Sequence, residues 1–448
     1  MTSQRFLIGA AAAMSVAAVR LLTAAPQQQP TFRAAVDLVA VDVQVVDKDG
    51  TPVKNISPDR FEVLIDGHRR RVVSADFISS VENRAAIRDE PMQQRGALPP
   101  PIDPVAAPPG RVYMIAIDVN SFNVGESRGV VSATRAFLHH LQPDDLVGVF
   151  AYPLGPKVYP TADRLAVDRR LDTIVGNKQA MASEFHLTAT EIIDINAESA
   201  AAATQRLTAP VVTPAQGQNT GAGRNGTTAQ TALFGNETDT TRRVQQRECD
   251  NDLRCVERIE SEAQALAFLL EGQITEGLSS LSTMLRGLGE YPGRKTVVLM
   301  SGGVPVSDRP GGRPDAGNMA EMLARNAAEA NTSIYAVHVD SSFMQFSAET
   351  QKSDKQPVSR GRDNAVLGHL LDQFAGQSGG EMLRVLVGSG EGALDRVLRE
   401  TSSHYLLGVE PAAADRDGRL RELRVKVNQP NVTVRSRMWV VVPKRRAT

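Results

Sequence analysis

The sequence has no excess of either charge and, past its first 25 residues, no long apolar run. The 50 lysine and arginine residues nearly balance 51 aspartate and glutamate residues, giving a formal net charge of -1 at pH 7. A chain with this balance has no broad basic surface to neutralise phosphates, so we expect no nucleic-acid partner. No later segment reaches the ~20 uninterrupted apolar residues that a membrane-spanning helix needs.

Sequence motifs of catalysis are also scarce. The chain has no His-Glu-x-x-His zinc motif and no P-loop. Ser301 follows a predicted strand and precedes two glycines, a position where serine is more often a cap than a nucleophile. We therefore expect a non-enzymatic protein, with a hydrolase acting through Ser301 as a remaining alternative.

Residues 1–25 have the features of an export signal. Arg5 precedes an apolar run over residues 6–19, and the small residues at 23–25 suit a signal peptidase. These features predict a secreted or periplasmic protein that makes no contact with a membrane. Arg20 is atypical inside such a signal, so a retained membrane anchor is the alternative.

The chain has two cysteines, Cys249 and Cys255, separated by five residues. In an oxidising compartment a close pair of this kind predicts a disulfide that closes a small loop. A metal site would need more ligands than this segment offers, because no histidine lies nearby.

Both ends of the chain have the patterns of β-strands. Residues 36–46 alternate apolar and polar side chains, which predicts a half-buried strand within an N-terminal β segment at 31–85. A proline-rich linker follows at 86–110, and β character returns at 403–443. Because neither end would bury enough apolar area alone, we predict that the two pair as a small antiparallel β-sandwich.

The middle of the chain, residues 111–402, alternates strands and helices. Its apolar runs of strand length lie at 112–117, 146–152, 296–300 and 333–339. This alternation predicts an α/β domain with a doubly wound, mainly parallel sheet, inserted into the sandwich. A segment rich in Gly, Gln, Thr and Asn, within about 208–240, predicts a flexible insertion.

Asp118 directly follows the first strand of this domain. In open α/β sheets, ligands bind outside the carboxyl ends of the strands, so Asp118 is predicted to face a crevice. Three roles are open for its side chain: capping the turn or helix that follows, recognising a ligand in the crevice, or holding a metal ion.

Three segments give the chain a resemblance to a known family. They read Ile-Ala-Ile-Asp-Val-Asn-Ser at 115–121, Gly-Arg-Lys-Thr-Val-Val-Leu-Met-Ser-Gly-Gly at 293–303 and Ile-Tyr-Ala-Val-His-Val at 334–339. In this order and spacing they resemble a von Willebrand factor type A (VWA) domain. With its flanking β segments, the chain resembles the VWFA-related family of bacterial exported proteins. The resemblance implies a VWA/Rossmann-like fold.

The resemblance also implies a metal-ion-dependent adhesion site, but with several ligands replaced. The family's first loop reads Asp-x-Ser-x-Ser, whereas this chain has Asp118, Asn120 and Phe122, and Gly302 stands in place of a later aspartate. Thr188 or Thr190 is the candidate for the threonine of the second loop, which the insertion displaces. A site reduced in this way predicts no resident cofactor, and at most weak Mg²⁺ binding through Asp118, Asn120 and Thr188.

The function that the resemblance implies is binding to another protein. The expected contact lies at the carboxyl edge of the sheet, through Asp118, Asn120, Ser121 and Ser301. The alternative is an adhesion module that depends on a divalent cation. Neither reading identifies the partner.

Overall fold

A computed structural model describes residues 38–79, 111–179, 181–208, 240–249, 252, 254–309, 311–340 and 360–444. The predicted export signal, the proline-rich linker and nearly all of the predicted insertion lie outside these residues. Within the described part of the chain, no helix has the length and apolar character to cross a membrane.

The elements alternate in the middle of the chain and are mostly strands at its ends. The strands are β1 Val39–Val46, β2 Phe61–Ile65, β3 His68–Ser79, β4 Val112–Asp118, β5 Leu146–Tyr152, β6 Lys157–Thr161, β7 Lys295–Ser301, β8 Thr332–Asp340, β9 Met382–Leu386, β10 Ser403–Glu410, β11 Leu420–Val427, β12 Thr433–Ser436 and β13 Trp439–Val441. The helices are α1 Val124–His140, α2 Arg164–Leu171, α3 Ala189–Thr208, α4 Thr240–Glu248, α5 Cys255–Leu288, α6 Met319–Glu329, α7 Arg360–Ser378 and α8 Glu391–Glu400.

The middle of the chain forms a six-stranded sheet in the order β6-β5-β4-β7-β8-β9. Its strands run parallel except β6, which is antiparallel to β5. Helices α3 to α7 cover one face and α1, α2 and α8 the other. Successive residues of β4 belong to opposite layers, with Met114 and Ala116 in one core and Ile115 and Ile117 in the other. The predicted α/β class with a mostly parallel sheet is confirmed.

The two ends of the chain form a seven-stranded antiparallel sheet in the order β12-β1-β10-β3-β2-β11-β13. Strand β1 pairs with β10, and β2 pairs with β11, so segments more than 350 residues apart share one sheet. The prediction of a sandwich is wrong in this respect: the strands make a single curled sheet. It closes around its own core, because alternate side chains such as Val41, Val43 and Leu407 meet on one face.

The second face of β1 is more buried than the alternating pattern predicts. Gln44 on that face is completely buried. Its amide donates to the Glu400 carbonyl at 3.1 Å, and its Oε1 lies 2.7 Å from the Tyr335 hydroxyl. The antiparallel sheet therefore packs its outer face against the α/β layer, and the polar residues of β1 lie at that contact.

Two boundaries differ from the sequence prediction for local reasons. The helical spacing of apolar residues from Val130 to Leu141 predicts a helix at 129–141. Helix α1 begins earlier, at Val124, because Asn123 and Glu126 cap it reciprocally. The residues at 432–442 have the pattern of one last strand. It is divided into β12 and β13 at Arg437 and Met438.

Candidate functional site at the carboxyl edge of the parallel sheet

Asp118 and Ser301 meet at the carboxyl ends of neighbouring strands. They end β4 and β7, which lie side by side in the sheet. The Ser301 hydroxyl donates to Asp118 Oδ2 at 2.8 Å and accepts a hydrogen bond from the Gly303 amide at 3.0 Å. Both side chains are buried, so this pair fixes the floor of the crevice.

A second set of hydrogen bonds ties the loop after β4 to the loop after β7. The Ser121 hydroxyl donates to the Asp118 carbonyl at 2.8 Å and accepts from the Gly302 amide at 2.8 Å. A Cβ atom placed on Gly302 would lie 2.8 Å from the Ser121 carbonyl oxygen. Real Cβ atoms do not approach so closely, so these two loops leave no room for a side chain at 302.

The Asp118 carboxyl lies in a strongly desolvated position. Burial raises its pKa to about 6, although the hydrogen bond from Ser301 acts in the opposite direction. Burial and the charge of Asp118 together raise the pKa of the neighbouring Tyr152 well above its usual value. The carboxylate is therefore ionised at neutral pH, but at a cost in free energy.

The capping role that the sequence left open for Asp118 stays a prediction. No capping hydrogen bond of its side chain to the short 3-10 helix Val119–Ser121 is formed, but the backbone amides of Asn120 and Ser121 act on the carboxyl and lower its pKa. Helix α1 is capped by Asn123 instead. The Asp118 side chain faces Ser301 and the adjoining pocket.

The pocket beside Asp118 is small and largely apolar. Its volume is about 80 Å³, room for several waters or one side chain and too little for a whole metabolite. The polar floor comes from Asp118, Asn120 and Ser121. The walls and mouth are formed by Tyr152, Pro153, Leu270, Gln273, Ile274, Gly277, Leu278, Leu281, Gly303, Val304, Pro305 and Phe374.

Helix α5 supplies half of the residues that form the walls and mouth. Its 34 residues extend about 51 Å, more than twice the length of a seven-residue strand. The helix ends at Leu288, shortly before β7 begins at the amino edge of the sheet, so its C-terminal end lies near that edge. Because the helix is much longer than the strands, its N-terminal half projects past the carboxyl edge. Gly277 leaves space over Tyr152, because a Cβ there would lie 3.6 Å from the Tyr152 ring.

The disulfide predicted between Cys249 and Cys255 is present. It links the residue after α4 to the first residue of α5. The bond therefore holds the projecting end of the helix that forms the pocket wall.

The remaining predicted site residues lie in different environments. Asn120 lines the pocket, and its Oδ1 accepts from the Asn177 amide at 3.5 Å. Thr188 does not line the pocket. It precedes α3, where its hydroxyl accepts from the Glu191 amide and its own amide donates to the Glu191 carboxylate. Phe122, at the position of the family's second serine, is a fully buried core residue.

These side chains make a poor cage for a divalent cation. Asp118 is the single carboxylate among the residues that line the pocket, and the hydroxyls of Ser121 and Ser301 are engaged in hydrogen bonds. Across the described ranges, no group of three or more His, Cys, Asp or Glu side chains could hold a metal ion. The full oxygen cage of the family does not fit here.

The surroundings of Ser301 do not match an activated nucleophile. Ser301 is fully buried, and its hydroxyl is paired with a carboxylate rather than an imidazole. His338 lies opposite it on β8, yet no Ser301–His338 hydrogen bond joins them in the described structure. Burial and the charge of Arg384 lower the pKa of His338, which favours its neutral form.

Two segments spell Gly-x-Ser-x-Gly, at 125–129 and 376–380. A nucleophile elbow lies between a strand and a helix and exposes its serine. Ser127 lies inside the first turn of α1, where its hydroxyl accepts from the Gly176 amide. Ser378 ends α7, and its hydroxyl accepts from the Ile334 amide. Both serines are buried, so neither segment is an elbow.

The residues that form the pocket walls, unlike those on its floor, could not be picked out from the sequence. Tyr152, Gly277 and Phe374 lie on three separate elements, and no motif joins them. The apolar periodicity of α5 indicated that one face is buried, but not which strand ends it covers. No family model and no curated protein matches the chain.

Proposed function

We propose that this chain is an exported, non-enzymatic binding protein that contacts another protein through the loops at the carboxyl edge of its parallel sheet. In this proposal the six-stranded layer is a VWA-like domain inserted between the strands of the antiparallel sheet. The observation that carries it is the pocket beside Asp118, which has apolar walls and room for one side chain of a partner.

Exposed apolar residues near the pocket support a protein partner. Leu154 follows Pro153 of the pocket wall and is 85% exposed. Leu269 is 62% exposed and lies one helical turn before Gln273 at the pocket mouth. Apolar side chains around a small pocket are typical of the centre of a protein interface.

Asp118 gives such an interface one polar anchor. A partner side chain inserted into the pocket could donate a hydrogen bond to the Asp118 carboxylate, which lines the pocket and also accepts from Ser301. Because a charged hydrogen bond contributes ~1.5 to 3 kcal/mol, Asp118→Ala should reduce the binding free energy of the partner by no more than that amount.

The test compares capture of a partner from the parent cell's envelope fraction by three matched proteins. Gly277→Leu fills the pocket and improves helix propensity, so it should bind no partner while melting no lower than the unchanged protein. Leu165→Asp alters an exposed leucine on α2, outside the pocket lining, and should capture the same partner in full. Equal capture by Gly277→Leu and the unchanged protein would refute the proposed site.

The cation-dependent adhesion module remains the second candidate, because Asp118 and Asn120 place two oxygen ligands at the pocket floor. Calorimetry distinguishes it. A millimolar or tighter Mg²⁺ affinity that is lost in Asp118→Ala would favour that module over the metal-free proposal.

A further inference from the structure

A second and larger cavity lies at the opposite edge of the parallel sheet. Its volume is about 450 Å³, within the range of small-molecule sites. Arg294, just before β7, and Asn331, just before β8, come from the amino edge of that sheet. Asp42 on β1 and His404 on β10 come from the outer face of the antiparallel sheet.

Arg437 is the most buried cation of this cavity, with 9% of its surface exposed. One terminal nitrogen donates to the Ala328 carbonyl at 3.1 Å. The other lies 3.5 Å from Asp42 Oδ2, which is at the outer limit of a hydrogen bond. A buried guanidinium with one distant carboxylate is incompletely compensated.

Arg294 adds a second guanidinium beside it. Among the described residues it has no carboxylate partner, and its contact is a 3.3 Å hydrogen bond to the Ser333 hydroxyl. Lys295 follows directly and is 3% exposed, with its ammonium bonded to the Tyr291 carbonyl at 2.8 Å. Arg294 and Arg437 therefore line the cavity with the half-buried carboxylate of Asp42, and Lys295 lies outside the lining but close enough to feel the charges of Arg437 and Asp42.

The titration of the neighbouring groups agrees with this excess of positive charge. Burial and the charge of Arg294 lower the pKa of His404 to about 4, although Asp42 lies 3.4 Å from its Nε2. Burial and the same charge lower the pKa of Arg437. Burial and the charge of Arg437 lower the pKa of Lys295.

Part of the lining is apolar. Ile78, Leu406 and Val441 contribute aliphatic surface, while Glu329 lies exposed at the amino edge. A ligand that fits this cavity therefore needs both a negative group and an apolar part.

We infer that this cavity binds a small organic anion, with its carboxylate or phosphate held between Arg294 and Arg437 and its apolar body against Ile78, Leu406 and Val441. The planar fork of a guanidinium matches the oxygens of both groups. The anion would supply the negative charge that the cavity lacks.

The first measurement is calorimetry of the full chain with benzoate, phenyl phosphate, inorganic phosphate and benzyl alcohol at constant ionic strength. We expect benzoate or phenyl phosphate to bind more tightly than either inorganic phosphate or benzyl alcohol. The tighter of the two aromatic anions identifies the carboxylate or the phosphate as the preferred group. Benzyl alcohol binding as tightly as both anions, or no binding by any probe, would overturn the inference.

Two variants with opposite expected effects make the assignment specific. Arg294→Gln should raise the dissociation constant of the tighter probe by about tenfold or more, because one charged hydrogen bond is lost. Asp42→Asn should lower it, since the competing carboxylate becomes neutral. A residue that acted through the fold alone would not strengthen binding when it is changed.

The matched control is Arg170→Gln on α2, which makes the same change of charge at an exposed residue outside the cavity lining. Its probe affinity should equal that of the unchanged protein. Thermal melts of all three variants show that each is folded at the temperature of the titration. An unchanged affinity in Arg294→Gln, or weaker binding in Asp42→Asn, would contradict the proposed site.

Discussion

The two edges of the six-stranded sheet differ in the sign of their buried charge and in how well it is paired. At the carboxyl edge, the Asp118 carboxylate accepts a hydrogen bond from the Ser301 hydroxyl. The hydroxyls of Ser121 and Ser301 in turn accept hydrogen bonds from backbone amides of the loop after β7. At the amino edge, Arg437 has one carboxylate, that of Asp42, at the limit of hydrogen-bonding distance, and Arg294 is bonded to the Ser333 hydroxyl. The first edge is satisfied within the chain, whereas the second lacks negative charge.

This difference separates the two kinds of recognition proposed above. A small pocket whose polar groups are already paired selects a partner mainly by shape, through apolar contact. A larger cavity with cations in excess selects by charge. The position of the antiparallel sheet explains the difference. Its outer face covers the amino edge of the parallel sheet, whereas helix α5 lies over the carboxyl edge.

The largest expected effect is at the contact between the two sheets. Glu400 is fully buried, and its carboxylate lies 2.9 Å from Arg396 Nε and 3.2 Å from Arg435 Nε. Glu400→Gln removes the negative charge and leaves two guanidiniums to share Glu381. Breaking a buried ion pair on one side costs about 3 to 5 kcal/mol, so we expect a loss of that size in urea unfolding.

Asp395→Asn is the matched control for this variant. Asp395 lies on the same helix and contacts His140 at 2.7 Å, but both side chains are exposed. Its loss should stay below about 1 kcal/mol, as for other surface pairs. Equal losses for the two variants would mean that the inter-sheet network does not hold the amino edge together.

The next effect is a pH dependence of opposite sign at the two edges. The pKa of Asp118 is raised from 3.8 to about 6, so the folded state holds more protons between these values. Asp118 therefore favours folding below pH 4 and loses that contribution as the pH rises through 6. A pKa shift of two units corresponds to about 3 kcal/mol. Between pH 4 and pH 8, the free energy of unfolding of Asp118→Asn should therefore rise by up to this amount relative to that of the unchanged protein.

His404 supplies the comparison at the amino edge. Its pKa is lowered from 6.5 to about 4, so its contribution is present above pH 6.5 and is lost as the pH falls through 4. Relative to the unchanged protein, the free energy of unfolding of His404→Gln should therefore rise as the pH falls. That of Asp118→Asn should rise as the pH rises. Urea unfolding at pH 4, 5, 6 and 8 measures both differences, and parallel slopes for the two variants would contradict the assignment of opposite charges.

A smaller effect is expected from the disulfide beyond the carboxyl edge. Replacing Cys249 and Cys255 together by serine frees the projecting end of α5 and should cost about 2 kcal/mol, at the low end for disulfides because the closed loop is short. Hydrogen exchange should rise in the first turns of α5 and stay unchanged in β1 and β10. A rise at both edges would mean that the bond stabilises the whole fold rather than the pocket wall.

The polar floor of the carboxyl edge was easier to predict than the amino edge. A continuous apolar run from Val112 predicted a buried strand, and the residue that follows such a strand must reach the sheet edge, as Asp118 does. The contact between Asp118 and Ser301 needed β4 and β7 to be neighbours, which the alternation of strands and helices suggested but did not prove.

The amino edge could not be predicted, because its residues carry no local pattern that points to a site. Asp42 and Gln44 lie on the polar face of an alternating strand, which normally faces solvent, yet here Gln44 is completely buried and Asp42 half-buried. Arg437 interrupts what the sequence presented as one long strand. Docking of one sheet on another depends on side-chain packing between distant segments, and period-2 alternation does not encode it.

The smallest expected effect is that of a metal ion, for which we expect none. Mg²⁺ needs an ionised carboxylate, and at pH 8 Asp118 is above its pKa of about 6, so this pH gives a cation its best opportunity. Even there, Phe122 offers no oxygen and the contact of Gly302 with Ser121 excludes a side-chain ligand. The melting temperature at pH 8 should therefore be the same in millimolar Mg²⁺ and in EDTA, and partner capture should persist in EDTA. A rise in melting temperature with Mg²⁺ that disappears in Asp118→Ala would show that water completes the coordination shell, and the carboxyl edge would then act as a cation-dependent adhesion site.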